Sequence, residues 1–447
     1  MYGDKVKETV IGEFVDEVRP VYALGANAFY YDYDKNGNLI ATSYYTYSYE
    51  NGENILTPHT LETRQYDYAG RLIKTTNALG QSVLYTYDAI GRKLTETDYK
   101  GNVVRYTYDA LGNLIKQDSP FDGETRSVKK MYYDAGGNRI KEMQTKNAVG
   151  SAVSWNVKEY QYDAMSRLSD VILHVGTDPE GNTIKNYTHY AYNAAGDITA
   201  MYTGLSVPYS ASLSPSAYSK TTYTYEGAGL VTSVTDALGN TEYSTYNENK
   251  MKTSYTDRNG RTFTYTHNAR GLTVEENTPG DGTRTNYYDA AGRLVGVYHG
   301  DSELAVSYGY DTYGHLTGET TGSGGPSATK DYTYDLFGNR LSFSLRYQTE
   351  SSSGYTEIMS QTYAYDALNR LVQTTAEGDT AYYTYDANGN PATETIGNMV
   401  TSYTYNDANL VTRVAHSVNG GIPEEGYQTP SNYYAYTYYT DGNVRNI

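Results

Sequence analysis

Two stretches, YTYDAIGR at Tyr85–Arg92 and YTYDALGN at Tyr106–Asn113, decide the fold of this chain. Tyr, Thr and Tyr alternate with a period of two, which places both rings on one face of a β-strand and the threonine on the other. The next residues, Asp88–Gly91, have the composition of a type I turn, with an aspartate that can accept backbone N–H groups and a glycine that tolerates left-handed backbone. The stretch predicts a strand that ends in a three-residue hairpin loop with a bulge.

The same pattern, a tyrosine with glycine or a substitute four residues later, recurs seventeen times. The first residues of the units are Tyr33, Tyr66, Tyr87, Tyr108, Tyr133, Tyr162, Tyr192, Tyr225, Tyr246, His267, Tyr288, Tyr310, Tyr334, Tyr365, Tyr385, Tyr405 and Tyr438. Eight of the sixteen spacings are 20 to 22 residues, and the longer ones read as the same unit with a longer loop. The fourth position is Gly in thirteen units and Asn in two, and only Ser166 and Lys250 depart, as a left-handed backbone position requires.

A second polar turn, such as Asp236–Gly239, follows the second strand of a unit. We call the turn after the motif tyrosine the motif turn and this second one the return turn. One unit is thus two short antiparallel strands and two tight turns, and the chain is predicted to be all-β, with about thirty-four strands in one long antiparallel strip. Such a strip must curl, because strands twist and wide flat sheets are rarely stable.

The units divide the chain into an N-terminal lead-in without a clear repeat, residues 1–29, and a repeat array, residues 30–447, whose last unit is incomplete. An unfinished edge strand is an aggregation hazard, so we expect the chain to be a piece of a longer protein. Residues 198–219 form the longest uncharged stretch and are predicted to be a loop, because Ser, Pro and Tyr are too frequent for a membrane span.

Composition excludes several classes of protein. The net charge is -17, and no basic run exceeds two residues, which argues against a nucleic-acid partner. There is no Cys, so a disulfide scaffold and a thiolate zinc site are excluded. Tyrosine is the outlier, with 55 residues against 6 Phe and 1 Trp, so aromatic rings must supply much of the buried area.

Repeats of the form YDxxGR and YDxxGN at this period resemble the RHS/YD-repeat family, and the resemblance covers nearly the whole chain from about Tyr31. It implies a strip spiralled into a hollow shell, a partial barrel or cocoon, as in bacterial polymorphic toxins, insecticidal toxin complexes and teneurins. It further implies a protein that is secreted or at the bacterial cell surface, and the seventeen hairpin units in register predict a non-enzymatic shell segment without cofactors. Its expected partners are an enclosed C-terminal toxin or further repeats of the same polypeptide. The repeat positions expected to be structural are Tyr87, Asp88, Gly91, Tyr108, Asp109, Gly112, Tyr288, Asp289, Gly292, Tyr334, Asp335, Gly338, Tyr385, Asp386 and Gly389.

Two other functions stay open. Exposed tyrosines could stack on sugars, which would suit a cell-surface adhesin or a carbohydrate-binding module, although 29 of the 55 Tyr are fixed by the repeat itself. The stretch Asp32, Asp34, Asn36 copies the start of an EF-hand loop and is a weak candidate for calcium, because Ser43 stands where that loop needs an acidic residue. The histidines have no metal-ligand spacing, and there is no nucleophile elbow or phosphate-binding loop, so no catalytic residue is predicted.

Overall fold

A computed structural model describes residues 29–50, 53–149, 152–227, 229–300, 305–322, 326–349, 354–418 and 433–447. The predicted lead-in, residues 1–29, lies outside the described residues except for Phe29, and the division of the chain into lead-in and array stays a prediction. Apart from one short 3-10 helix, Pro215–Ala217, every regular element of the described residues is a β-strand.

The strands are β1 Phe29–Tyr33, β2 Leu39–Glu50, β3 Glu53–Tyr66, β4 Leu72–Asn77, β5 Ser82–Tyr87, β6 Lys93–Thr97, β7 Val103–Tyr108, β8 Leu114–Asp122, β9 Thr125–Tyr133, β10 Arg139–Val149, β11 Ala152–Tyr162, β12 Leu168–Thr177, β13 Thr183–Tyr192, β14 Ile198–Leu205, β15 Ser219–Tyr225, β16 Val231–Thr235, β17 Thr241–Tyr246, β18 Lys252–Thr256, β19 Thr262–His267, β20 Thr273–Thr278, β21 Gly282–Tyr288, β22 Leu294–His299, β23 Ala305–Tyr310, β24 Leu316–Thr321, β25 Ser327–Tyr334, β26 Arg340–Gln348, β27 Thr356–Tyr365, β28 Leu371–Ala376, β29 Asp379–Tyr385, β30 Pro391–Ile396, β31 Met399–Tyr405, β32 Val411–Val418, β33 Tyr433–Ala435, β34 Thr437–Tyr438 and β35 Val444–Asn446.

Strands β1 to β33 form one antiparallel sheet of 33 strands, and β34 pairs with β35 separately. Each strand pairs with the next along the chain, as β7 does with β8. The register shifts just before the motif tyrosine, between Thr107 and Tyr108 in that pair, which is the predicted bulge. The all-β strip of hairpins inferred from the repeats is confirmed.

The sheet is a single layer with almost no core. Among the described residues only nine apolar side chains are buried, and only Leu205 is fully so. Leu205 and Tyr202 are covered by Tyr209 and Tyr218, which follow β14 and precede β15. The loop predicted for residues 198–219 is therefore wrong at its start, because Ile198–Leu205 pairs with both neighbouring strands, and only residues 206–218 form the connection.

The strip coils back onto itself. The motif turn between β27 and β28 lies beside the return turn between β4 and β5, and the motif turn between β29 and β30 lies beside the return turn between β6 and β7. In both cases the two turns are 23 strands apart, from β4 to β27 and from β6 to β29, so one turn of the coil takes 23 strands. At about 4.8 Å per strand this gives a circumference of about 110 Å and a diameter of about 35 Å between opposite backbones. The predicted hollow spiral is confirmed.

Candidate functional site: the repeat ladder and the coil seam

Each motif turn is closed by its own aspartate. In the unit of Asp109, one carboxylate oxygen accepts the backbone N–H groups of Leu111 at 3.0 Å and Asn113 at 2.8 Å. The other oxygen accepts the Asn113 side-chain amide at 3.0 Å. This hydrogen bond from the Asn113 side chain lowers the pKa of Asp109. Desolvation raises that pKa, but the backbone N–H donors lower it further, so the net shift is downward. The carboxylate is therefore held ionised as part of the turn.

The fourth turn position is left-handed in glycine and non-glycine units alike. Gly112 has a φ of 94°, whereas Ser166 and Lys250, the two departures in the sequence, have φ values of 60° and 63°. Asn369 and Asn409 each have a φ of 60°. The fourth turn position is therefore left-handed whether it holds glycine or another residue. A residue with a Cβ at this position is strained, because L side chains disfavour a positive φ.

The motif tyrosine is a link between units. Its hydroxyl donates to the backbone carbonyl of the residue that begins the second strand of the preceding unit, as Tyr108 does to Lys93 at 3.0 Å. His267, the only replacement, places its ring Nε2 2.7 Å from the carbonyl of Lys252. The same contact is made by Tyr66, Tyr87, Tyr133, Tyr162, Tyr192, Tyr225, Tyr246, Tyr288, Tyr310, Tyr334, Tyr365, Tyr385, Tyr405 and Tyr438. We call this series the repeat ladder.

Arginines after the turn strengthen the ladder. Arg92 pairs with Asp88 of its own turn at 2.6 Å and donates to the carbonyl of Asp109 in the next turn at 2.9 Å. Its guanidinium also lies 4.9 Å from the ring centre of Tyr108, in cation–π range. The same arrangement recurs at Arg71, Arg167, Arg293 and Arg370.

The two faces of the sheet differ in chemistry. The face that carries the motif tyrosines, the tyrosine face, also carries ion pairs such as Lys93 with Glu96 at 2.7 Å. The opposite face, the threonine face, carries cross-strand hydroxyl pairs such as Thr86 with Thr95 at 2.6 Å. It also carries four tyrosines that are 51% to 54% exposed, namely Tyr243, Tyr287, Tyr298 and Tyr382.

The coil seam is the line where motif turns of β25–β35 meet the strands and return turns of β1–β11. Lys100 in a return turn pairs with Asp386 in a motif turn at 2.6 Å. Desolvation of Asp386 opposes ionisation, but hydrogen bonds from Lys100 and Asn390 outweigh it and lower the pKa of Asp386. Asn388, at the tip of the same turn, donates to the carboxylate of Asp98 at 2.7 Å.

Backbone groups also cross the seam. Ala408 donates its N–H to the carbonyl of Phe121 at 3.2 Å, and Thr440 donates its N–H to the carbonyl of Lys146 at 3.0 Å. The Thr440 hydroxyl donates to the carbonyl of Thr145 at 3.0 Å, and both threonines are buried. Because buried polar groups are costly unless they are paired, the seam is a specific contact.

Aromatic contacts extend the seam to β1–β3. The ring of Phe337, in the motif turn between β25 and β26, lies 5.6 Å from the ring of Phe29 and 4.9 Å from that of Tyr44. Two cavities of about 780 Å³ and 450 Å³ lie along the seam, the first beside Phe337 and the second beside Phe121. The smaller cavity is lined by four carboxylates, Glu96, Asp98, Asp407 and Asp441.

The calcium candidate is built as an ordinary motif turn. Asp34 accepts backbone N–H groups from Asn36 and Asn38 at 2.8 and 2.9 Å, and also the Asn38 side-chain amide at 2.9 Å. The hydrogen bond from the Asn38 side-chain amide is the main reason that the pKa of Asp34 is lowered. Asp32 lies exposed in β1. Within the described part of the chain no group of three or more His, Asp or Glu could hold a metal ion, and calcium binding here stays a prediction.

Sequence reasoning identified the turn residues and the tyrosine column but missed the seam. The sequence feature that relates to the seam is the residue at the tip of a motif turn, such as Phe337 or Asn388. This residue can be assigned to a contact only when the 23-strand period of the coil is known. The described residues also include no helix that is long and apolar enough to cross a membrane.

Comparisons with known proteins agree with this geometry. The RHS Repeat family profile matches residues 66–99, 91–125 and 365–398. The crystal structure of TcdB2-TccC3-Cdc42 is similar over 94% of this chain and 23% of that chain, with a TM-score of 0.60 and 15% identity. A Photorhabdus luminescens Tc holotoxin pore with mutated TccC3 matches over the same shares, with a TM-score of 0.59 and 15% identity. Such a likeness shows a shared fold, and this chain spans less than a quarter of those proteins. No curated protein sequence matches the chain.

Proposed function

We propose that this chain, which belongs to the RHS/YD-repeat family, forms part of the wall of a hollow shell that encloses a polypeptide toxin. The proposal rests on one observation above all, the single-layer coil that meets itself at the seam after 23 strands. With only nine buried apolar side chains, the described part of the wall lacks the core of a packed domain. Its geometry suits enclosure.

The size of the coil limits the cargo to a polypeptide that is small or partly unfolded. A diameter of about 35 Å between backbones leaves about 25 Å once side chains of about 5 Å line each wall, whereas a compact domain of 100 residues has a radius of gyration of about 13 Å and is therefore wider than that space. A cargo of that length would have to be held partly unfolded. The role we propose for the wall is structural rather than catalytic, in a protein that is secreted by bacteria.

The first test is to read the coding DNA beyond the codon for Ile447. An open frame that continues through more motif turns into an unrelated tail is the expected result. In the full-length product, that tail should resist protease until the wall is opened with denaturant. A stop codon at that point, or a tail that is cut as fast as a free peptide, would contradict enclosure of a toxin.

A cell-surface carbohydrate module is the second candidate. It is favoured by the exposed tyrosines of the threonine face, of which Tyr287 and Tyr298 lie edge to face at 5.4 Å. Aromatic rings presented in this way can stack on sugar rings. A glycan array probed with the 447-residue chain tests carbohydrate binding. Binding that is lost in Tyr287→Ala but kept in Tyr132→Ala would support this candidate. An array on which the chain binds no glycan would exclude it.

A further inference from the structure

Basic side chains gather on the threonine face of β7–β13. Thr107 in β7 marks this face, and it lies directly opposite Lys116, which in turn lies opposite Lys130 in β9. Residues directly opposite each other in an antiparallel pair share a face, so the register assigns the remaining side chains in the same way. The basic residues are Arg105, Lys116, Arg126, Lys130, Lys141 and Lys185, and the acidic ones are Asp118, Glu159 and Asp170. We call this surface the basic patch.

Local folding does not require this charge. On the same face of β16–β19 the register aligns Ser233 with Tyr243 and then with Thr256, and no charged side chain of these strands lies on that face. In the basic patch, Lys116 lies directly opposite Lys130, and like charges at such positions destabilise a sheet. The patch also stands in a chain whose net charge is -17. The excess of basic groups on one face therefore indicates a role other than folding.

The carboxylates of the basic patch compensate only part of its charge. Two of them hold four cations, Lys116 and Arg126 on Asp118, and Lys185 and Lys141 on Glu159. The third, Asp170, pairs with His189 at 2.9 Å. Arg105 and Lys130 form no ion pair with a carboxylate of the described residues, and Arg105 is exposed. Six basic minus three acidic groups leaves a surplus of three positive charges.

Aromatic side chains lie among these cations. Trp155, the only tryptophan of the chain, lies opposite Thr145 in β10, and its ring centre is 4.8 Å from Nζ of Lys130. Tyr132, two residues after Lys130 on the same face, is 44% exposed. A bound segment would therefore meet rings for its apolar groups beside cations for its charges. Such a mixture is typical of surfaces that bind polypeptides.

The dimensions of the basic patch suit one extended segment. From Arg105 in β7 to Lys185 in β13 the sheet advances six strand spacings, or about 29 Å, which equals about nine residues of extended chain. Duplex DNA of that length carries about 17 negative charges, far more than the patch could neutralise, and the net charge of the chain would repel it. The surplus instead matches a polypeptide with a few spaced carboxylates. Carboxylates are also the ligands that Asp118 and Glu159 already provide on this face.

We propose that the basic patch is an interaction surface that binds an acidic segment of a polypeptide in an extended conformation. The carboxylates of the segment pair with Arg105, Lys116 and Lys130, and its apolar groups contact Trp155. The contact forms on the open face of one sheet, so it does not depend on whether the wall encloses a toxin.

Fluorescence of Trp155 tests where the segment binds, because the chain has no other tryptophan. The probe is a peptide of about twelve residues in which Glu alternates with Ser, long enough to span the patch, and the reference peptide has Gln in place of Glu. At about 20 mM salt the acidic peptide should change the Trp155 emission to a saturating level, whereas the reference peptide should not. Raising the salt to about 500 mM should remove most of the binding, because exposed charges are then screened.

Anisotropy of the labelled acidic peptide compares variants of the 447-residue chain. The patch variant, Lys116→Gln with Lys130→Gln, should bind at least about tenfold more weakly than wild type. The matched control, Lys129→Gln with Lys158→Gln, makes the same charge change on the tyrosine face of β9 and β11. It should bind like wild type.

Arg105→Gln is a second variant, because Arg105 is exposed and its loss breaks no ion pair among the described residues. It should weaken binding about threefold while the circular dichroism spectrum stays that of wild type. An acidic peptide that does not bind at low salt overturns the proposal. So does equal weakening in the tyrosine-face control, or binding of duplex DNA or of vesicles with anionic headgroups as tightly as the peptide.

Discussion

The hydroxyl of the motif tyrosine should stabilise the array separately from its ring. We consider a chain in which four motif tyrosines are replaced by phenylalanine, at Tyr87, Tyr108, Tyr288 and Tyr385. Their hydroxyls donate to backbone carbonyls at 2.7, 3.0, 2.8 and 2.7 Å. A hydrogen bond of this kind contributes about 1 kcal/mol net. The four bonds have no shared partner, so their contributions should add to about 4 kcal/mol.

The matched control replaces four tyrosines that are more than half exposed on the threonine face. These are Tyr243, Tyr287, Tyr298 and Tyr382. Both variants lose four hydroxyls and keep four rings, so hydrophobicity and β-propensity change equally. For the control we expect almost no change in the free energy of unfolding, because exposed substitutions have small effects.

Urea unfolding followed by circular dichroism measures the two midpoints. Because repeat arrays can unfold in parts, hydrogen exchange should accompany it. The loss of about 1 kcal/mol at one link should speed opening-limited exchange beside that link about fivefold. Equal midpoints in the motif variant and the control would refute the claim that the ladder stabilises through its hydroxyls.

Three further outcomes are expected. The lowered pKa of motif aspartates such as Asp109 means that these carboxylates stabilise the fold above their unfolded value of about 3.9, and that this stability is lost as the pH falls through the lower folded pKa. The melting midpoint should therefore change little between about pH 7 and 5 and fall below about pH 4, and a flat profile down to about pH 3 would contradict the role of the carboxylates. Gly112→Val forces a β-branched residue to a φ of 94° and should cost about 1 to 2 kcal/mol, whereas Lys250→Gly relieves a φ of 63° and should gain up to about 1 kcal/mol in urea unfolding. Phe337→Ala removes ring contacts at 5.6 and 4.9 Å across the seam and should cost about 2 kcal/mol, with faster hydrogen exchange in β1–β3 and unchanged exchange in β15–β20; uniform acceleration would argue against a local seam.

The strip and its turns could be predicted because each is encoded within about eight residues. Alternation of Tyr and Thr sets the strand faces, and the Asp and Gly of Asp88–Gly91 set the loop, so no distant contact is needed. Even the departures at Ser166 and Lys250 follow the local geometry. The error at residues 198–205 has the same cause, because that segment lacks the local pattern and is made a strand by pairing with β13 and β15.

The seam could not be predicted in this way. The position of the seam depends on small twists between strands that accumulate over 23 strands. The sequence of one unit does not predict this total twist. The tip position shows the problem, because Ile90 and Phe337 occupy equivalent places in equivalent turns, yet one is bare and the other lies on a coil. Fold and unit chemistry are thus local properties of this sequence, whereas the enclosing geometry is a property of the whole array.

The abundance of tyrosine follows from the thin wall. A single-layer sheet with nine buried apolar side chains in its described part cannot rely on a core, so each unit must be fixed to its neighbour along the sheet. That link needs a ring to cover the adjacent strand and a polar tip to reach its carbonyl, and tyrosine supplies both. Phenylalanine occurs six times in the chain but in none of the seventeen motif positions, whereas the one exception, His267, has a ring nitrogen that reaches the same carbonyl. The expectation that longer units have longer loops is wrong for most of them: β8 and β9 have nine residues each and are joined by only two residues, so the extra length lies in the strands, whereas a long connection occurs at residues 206–218. Because the link is made between neighbours only, longer strands or a longer connection leave it intact, which explains why unit length varies while the motif turn does not.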